Sequence, residues 1–139
     1  MEDASRYGTL TVLVDQHLRG QVILIWGTLA AEGWLDLLPL RMITFDDVGL
    51  PEDSDDCTVW RFAQAHRMLL LTGNRRMKGS DSLEQTIREE NTPTSLPVLT
   101  VGRIKRLEER GYREQCSRRL LEIAFDLENY LGTGRIFIP

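Results

Sequence analysis

Four short apolar runs, at residues 9–14, 41–45, 68–72 and 97–101, constrain this chain more than anything else in it. Each is rich in β-branched or long aliphatic residues and is too short for a globular helix. Each reads as a buried strand. Helical spacing fills the intervals between them. From His17 to about Trp34 the pattern is apolar nearly all round, which predicts a helix buried on several sides, with Gly33 as its stop. Residues 46–56 carry six acids around Gly49 and Pro51 and read as a loop. Ser54 or Asp55 then caps a helix from Asp56 to about His66, whose inward stripe is Val59, Phe62, Ala63 and His66. Asp81 and Glu84 form a capping box for a helix ending near Glu90. Residues 103–131 read as helix broken at Gly111, and residues 136–138 as a last strand.

Strands alternating with helices imply an α/β protein: a three-layer α/β/α sandwich around a mainly parallel sheet of four to five strands. At 139 residues the chain is one domain, 1–139, with its core at about 9–101 and a helical region at about 103–131 packed on it. That length buries enough surface to need no disulfide or zinc staple. Cys57 and Cys116 are its two cysteines and form no C-x-x-C, which excludes a zinc ribbon or thioredoxin-type site; they read as buried thiols of a reduced compartment. The start of the chain lacks the pattern of a signal peptide, and the apolar stretch 20–31 is too short to span a bilayer. The expected setting is cytoplasmic, with no membrane partner. A net charge of −4 excludes a global attraction to nucleic acid, so any such contact is local.

The acids carry the functional signal. In open parallel sheets ligands bind at the carboxyl ends of the strands. Asp15 follows the first strand, Asn74 the third; Asp55 and Asp56 open the helix leading into the third, and Asp81 opens the next. Carboxylates gathered at one place repel unless a cation lies between them, and oxygen ligands without a cysteine or histidine cluster suit Mg²⁺ or Mn²⁺. Such an ion activates water and offsets charge on a phosphodiester. Each residue also has a purely structural reading. Asp15 fits a helix N-cap equally well, and Asp81 with Glu84 fits a cap better than a ligand. Asp55 and Asp56 suit a helix N-terminus without a metal. Asp46, Asp47, Glu52 and Asp53 read as solvated loop charge. His17 and His66 read as structural, and Trp26, Trp34 and Trp60 as packing residues. Residues 73–80 miss the P-loop pattern because Lys78 precedes Gly79. Asn74 excludes a phospho-accepting receiver, which needs Asp there.

In this order the residues resemble PIN-like domains, in particular the short single-domain proteins related to toxin ribonucleases. Those chains open with a strand and Asp-Glu-Asn; here stands Leu13-Val14-Asp15-Gln16-His17. Their Gly-x-Ser-Asp-Glu segment corresponds to residues 49–56 followed by Trp60, and their strand ending in Thr-x-Asp-x-Asp to Leu69 through Thr72-Gly73-Asn74-Arg75-Arg76. The resemblance covers about 9–101. It implies a ribonuclease that cuts single-stranded RNA with Mg²⁺ or Mn²⁺, in which Asp15, Asp55 and Asp56 hold the metal. Asn74 stands where the family has an acid and orients a ligand or water; Arg76 stands where it has a second. Asp81 supplies the missing carboxylate if Gly79 turns the chain back. The expected catalytic set is therefore Asp15, Asp56, Asn74 and Asp81, and the expected metal ligands are Asp15, Asp55, Asp56 and Asp81. Arg75, Arg76 and Lys78 meet the RNA phosphates. Such a protein is the toxin of a toxin–antitoxin pair, with an antitoxin protein as partner. The alternative is a catalytically degenerate PIN-like module for binding or assembly, with the C-terminal helical region pairing two copies in a homodimer. A phosphohydrolase with Asp15 as nucleophile stands lower, because His17 occupies the place of its second Asp.

Overall fold

The structure is a computed structural model and describes residues 9–74 and 82–139. Five strands form one sheet: β1 (Leu10–Val14), β2 (Leu40–Ile43), β3 (Leu69–Thr72), β4 (Val98–Thr100) and β5 (Arg135–Phe137). Their order is β2-β1-β3-β4-β5 and every neighbouring pair is parallel. The helices are α1 (Val22–Ala31), α2 (Trp34–Leu37), α3 (Phe45–Val48), α4 (Asp56–Ala65), α5 (Leu83–Glu90) and α6 (Arg110–Phe125). Short 3-10 turns lie at Gln16–Leu18, Ile104–Glu108 and Leu127–Tyr130.

The period of two along each strand sends side chains to two separate cores. Val12 and Val14 of β1, Leu69 and Leu71 of β3 and Leu99 of β4 pack against Ile25 and Leu29 of α1 and Leu120 and Ile123 of α6. Leu13, Leu70 and Val98, from the other face, pack with Phe45 of α3, Val59, Trp60 and Ala63 of α4, and Leu83 and Ile87 of α5. These are the three layers that the alternation of strands and helices predicts. Each fully buried aliphatic side chain contributes about 2 kcal/mol of hydrophobic stabilisation. Among the described residues, no helix is long and apolar enough to cross a membrane.

Several elements differ from the sequence reading. The predicted helix from His17 to Trp34 is three pieces: the 3-10 turn, α1 and α2. The last break falls at Gly33, whose φ of +76° only glycine adopts without strain. This segment is not buried all round either: Ile23 is 71% exposed, and Trp26 and Trp34 stand partly in solvent. The acidic loop contains helix α3, entered by Asp47 Oδ2 accepting from the Thr44 N–H at 2.8 Å. On α4 the buried face is Val59, Trp60 and Ala63, while His66 stacks on Phe62 at the surface. Ser82, not Asp81, is the N-cap of α5, its hydroxyl accepting from the Gln85 N–H. The C-terminal helical region breaks at Glu109, whose extended backbone separates the 3-10 turn from α6; Gly111 lies inside the helix.

Candidate functional site

Strand order reverses at β1. From β1 the chain steps to β2 on one side, then returns to place β3 on the other. Connections leaving β1 and β3 therefore diverge, and a crevice opens outside the carboxyl ends of these two strands. A cleft of about 430 Å³ occupies that position. Asp15, Gln16 and His17 line it from the end of β1, and Gly73 and Asn74 from the end of β3. Phe45, Glu52, Ser54 and Asp56 line it from α3, the acidic loop and the start of α4, and Ile104 from the turn after β4.

Asp15 continues the sheet pairing, its N–H donating to Leu71 O at 2.9 Å. It precedes a 3-10 turn, yet its side chain caps nothing there. Its Oδ2 instead accepts from the Thr72 hydroxyl at 2.6 Å. Thr72 is 1% exposed, and its hydroxyl oxygen accepts in turn from the Asn74 N–H at 3.0 Å. Asn74 Nδ2 then donates to Asp56 Oδ2 at 3.0 Å. The same Asp56 oxygen accepts from the Leu83 N–H at 2.9 Å, so Asp56 ties the start of α4 to the end of β3 and the start of α5. One hydrogen-bonded series thus runs Asp15, Thr72, Asn74, Asp56. Among the described residues, both carboxylates are fixed through Oδ2, and Oδ1 of each has no hydrogen-bond partner.

Adjacent Asp55 does something else. Its Oδ1 accepts from the Thr58 N–H at 2.7 Å, capping α4, and it does not line the cleft. That backbone hydrogen bond holds its carboxyl below the usual carboxylate range. Asp15, Asp56 and Asn74 do meet at the cleft; Asp81, Arg75, Arg76 and Lys78 lie outside the described residues. Among the described residues, no three acidic, histidine or cysteine side chains group closely enough to hold a metal by themselves. Asp15 and Asp56 line the cleft together, and Asn74 turns its amide nitrogen to Asp56.

Sequence reasoning missed several participants. Glu52 is no idle surface charge: its Oε1 accepts from Gln16 Nε2 at 3.1 Å and Arg19 Nη1 at 3.4 Å, drawing the acidic loop over the start of the cleft. His17 is exposed but lines the cleft. Ile104 closes against Gly73, where any Cβ would run into its Cδ1. Arg135 of β5, with only 6% of its side chain exposed, braces the site from behind. Its Nη1 donates to Asn74 O at 2.6 Å and to Thr100 Oγ1 at 2.8 Å, and its Nε to Glu84 Oε1 at 3.1 Å. A lone arginine opening an otherwise apolar strand was the available signal for it. Comparison of the chain with protein-family models, curated proteins and solved structures gives no match.

Proposed function

We propose that the chain is a divalent-metal-dependent, PIN-like ribonuclease acting on single-stranded RNA. One observation carries this reading: Asp15 and Asp56 face a common cleft at the switch point of the sheet, each pinned through one carboxylate oxygen and each keeping the other without a protein partner among the described residues. Pinning fixes the rotamers before any ligand arrives, which lowers the ordering cost of binding. Asp15 and Asp56 would hold Mg²⁺ or Mn²⁺, with Asn74 orienting Asp56. Such an ion supplies a water acidified toward neutral pH and offsets charge on a phosphodiester. Thr72 contributes by holding Asp15 through its hydroxyl while receiving the Asn74 N–H, so one buried side chain sets the spacing of both strand ends.

A specific observation favours a second reading. Asn74 places a neutral amide against Asp56 where the resemblance expects an acid, so less charge is available to attract a cation. On that reading the cleft binds without cutting. Incubation with labelled single-stranded RNA separates the two. Cleavage that requires Mn²⁺ or Mg²⁺, stops in chelator and is lost in Asp15→Asn supports the nuclease. RNA binding without cleavage in either ion, together with no heat of Mn²⁺ binding by calorimetry, supports the degenerate module. Full cleavage in chelator defeats both.

A further inference from the structure

We propose that Arg103 and Lys105 form a phosphate-binding lip on the β4 side of the cleft, across which the backbone of a single-stranded RNA lies. The proposal rests on the ribonuclease reading and adds to it a place for the substrate.

Topology brings this segment to the site. Thr100 of β4 is opposite Thr72 of β3, and the Val101 N–H donates to Thr72 O at 2.8 Å. The chain therefore leaves β4 at the same carboxyl edge from which Asp15 and Asn74 project. Four residues on, Ile104 lines the cleft and closes on Gly73. Arg103 and Lys105 are its immediate neighbours in the chain, and both are exposed. The backbone beneath them is held, since the Arg103 N–H donates to the Tyr112 hydroxyl at 2.9 Å.

Their freedom distinguishes them from most other cations here. Arg19, Arg61, Arg88, Arg106, Arg110 and Arg119 each pair with a carboxylate. Arg106, on the same turn, bends back to Glu109 and over the Tyr112 ring, so it does not reach toward the cleft as an unengaged charge. Arg103 and Lys105 have no ion pair among the described residues. On a chain with a net charge of −4, two unengaged cations beside a cleft lined by Asp15, Glu52 and Asp56 divide the work as a phosphodiester requires: anions for a metal, cations for the backbone on either side of the reacting phosphate. An arginine also offers a planar fork matched to phosphate oxygens.

The test is fluorescence anisotropy of a labelled oligouridylate across a salt series, with the full chain carrying Asp15→Asn so that no cleavage intervenes. Removing two phosphate contacts lowers the steepness of the negative slope of log K against log salt by about 1.4, since a single strand releases about 0.7 counterion per contact. Arg103→Gln with Lys105→Gln is expected to show that drop and weaker binding. Arg41→Gln with Arg118→Gln removes the same charge from exposed positions off the cleft, Arg41 lying opposite Thr11 toward the far end of β1. That control is expected to keep the parent slope. An unchanged slope in the first pair, or an equal drop in the control, overturns the lip while leaving the ribonuclease reading standing. A parent chain that binds no oligouridylate overturns both.

Discussion

Asn74 donates its side-chain amide to Oδ2 of Asp56 at 3.0 Å. The bond joins the end of β3 to the start of α4, and it does so with a neutral group. Asn74→Asp turns that donor into a second acceptor and sets two carboxylates against each other. Lost hydrogen bonding and repulsion together cost about 2 kcal/mol, or about 6 °C in Tm for a chain of this length. An ion between them reverses the effect by binding the folded state. Thermal unfolding followed by fluorescence is therefore expected to show a lower Tm for the variant in chelator and a larger rise with added Mn²⁺ than for the parent. Equal Tm values that ignore Mn²⁺ would rule out a cation site at this pair.

The neighbouring carboxylates Asp55 and Asp56 separate by function. Asp55 caps α4, and the Thr58 N–H holds its pKa below the ordinary 3.8. A carboxyl with a depressed folded pKa contributes stability above its unfolded value and loses it as pH falls through the folded one. Asp55→Ala is expected to lower Tm at neutral pH, with the gap to the parent closing as pH drops below 3.8. Cleavage per folded molecule is expected to persist, because Asp55 does not line the cleft. Asp56→Ala is expected to abolish cleavage. Loss of activity in Asp55→Ala at a temperature where it is folded would return Asp55 to the proposed metal site.

Local chemistry was legible in the sequence and long-range closure was not. Asp15 stood out because it ends an apolar run, and the strand-and-helix alternation predicted the carboxyl edge on which it sits. Strand order was not readable, since the pairing of β1 with both β2 and β3 joins residues far apart in the chain. Glu52 looked like loop charge because its partners, Gln16 and Arg19, lie more than thirty residues earlier. Apolar periodicity registers neither the turn at Gly20 nor the left-handed backbone at Gly33, so the pattern merges α1 with its flanks. Asp15 read equally well as a cap; the Thr72 hydroxyl, contributed by another strand, decides where its side chain goes.

Cys116 and Cys57 differ in reach. Cys116 is fully buried on α6, and burial pushes its thiol up to about 11, against a smaller opposing effect of the Tyr112 hydrogen bond. Its thiolate is about a thousandth of the population at pH 8. Cys57 is half-buried, with Sγ 3.7 Å from Glu90 Oε2. Titration of the native protein with a thiol reagent at pH 8 is expected to label one cysteine, Cys57, and to reach Cys116 only in denaturant. Rapid labelling of both would mean that α6 opens readily from the sheet.

Arg135 carries the most consequential buried charge among the described residues. Its guanidinium bonds Asn74 O, Thr100 Oγ1 and Glu84 Oε1, while Nη2 is buried with no hydrogen-bond partner among the described residues. Arg135→Met keeps the apolar length of the side chain but leaves Glu84, 18% exposed, with the more exposed Arg88 as its remaining ion-pair partner among the described residues, and it removes one donor from the Asn74 carbonyl. Breaking a fully buried pair from one side costs about 3 kcal/mol, and the contact of Glu84 with Arg88 keeps the loss here below that. Removing both charges, with Arg135→Met and Glu84→Gln, is expected to recover part of that loss, because the half-buried carboxylate no longer relies on the exposed Arg88 alone. Urea unfolding of the parent, both single variants and the double variant gives the coupling. If Arg135 braces the site as well as the fold, the stabilised double variant still cleaves RNA more slowly than the parent, since Asn74 O has lost its support. Full activity in the double variant would confine Arg135 to a structural part.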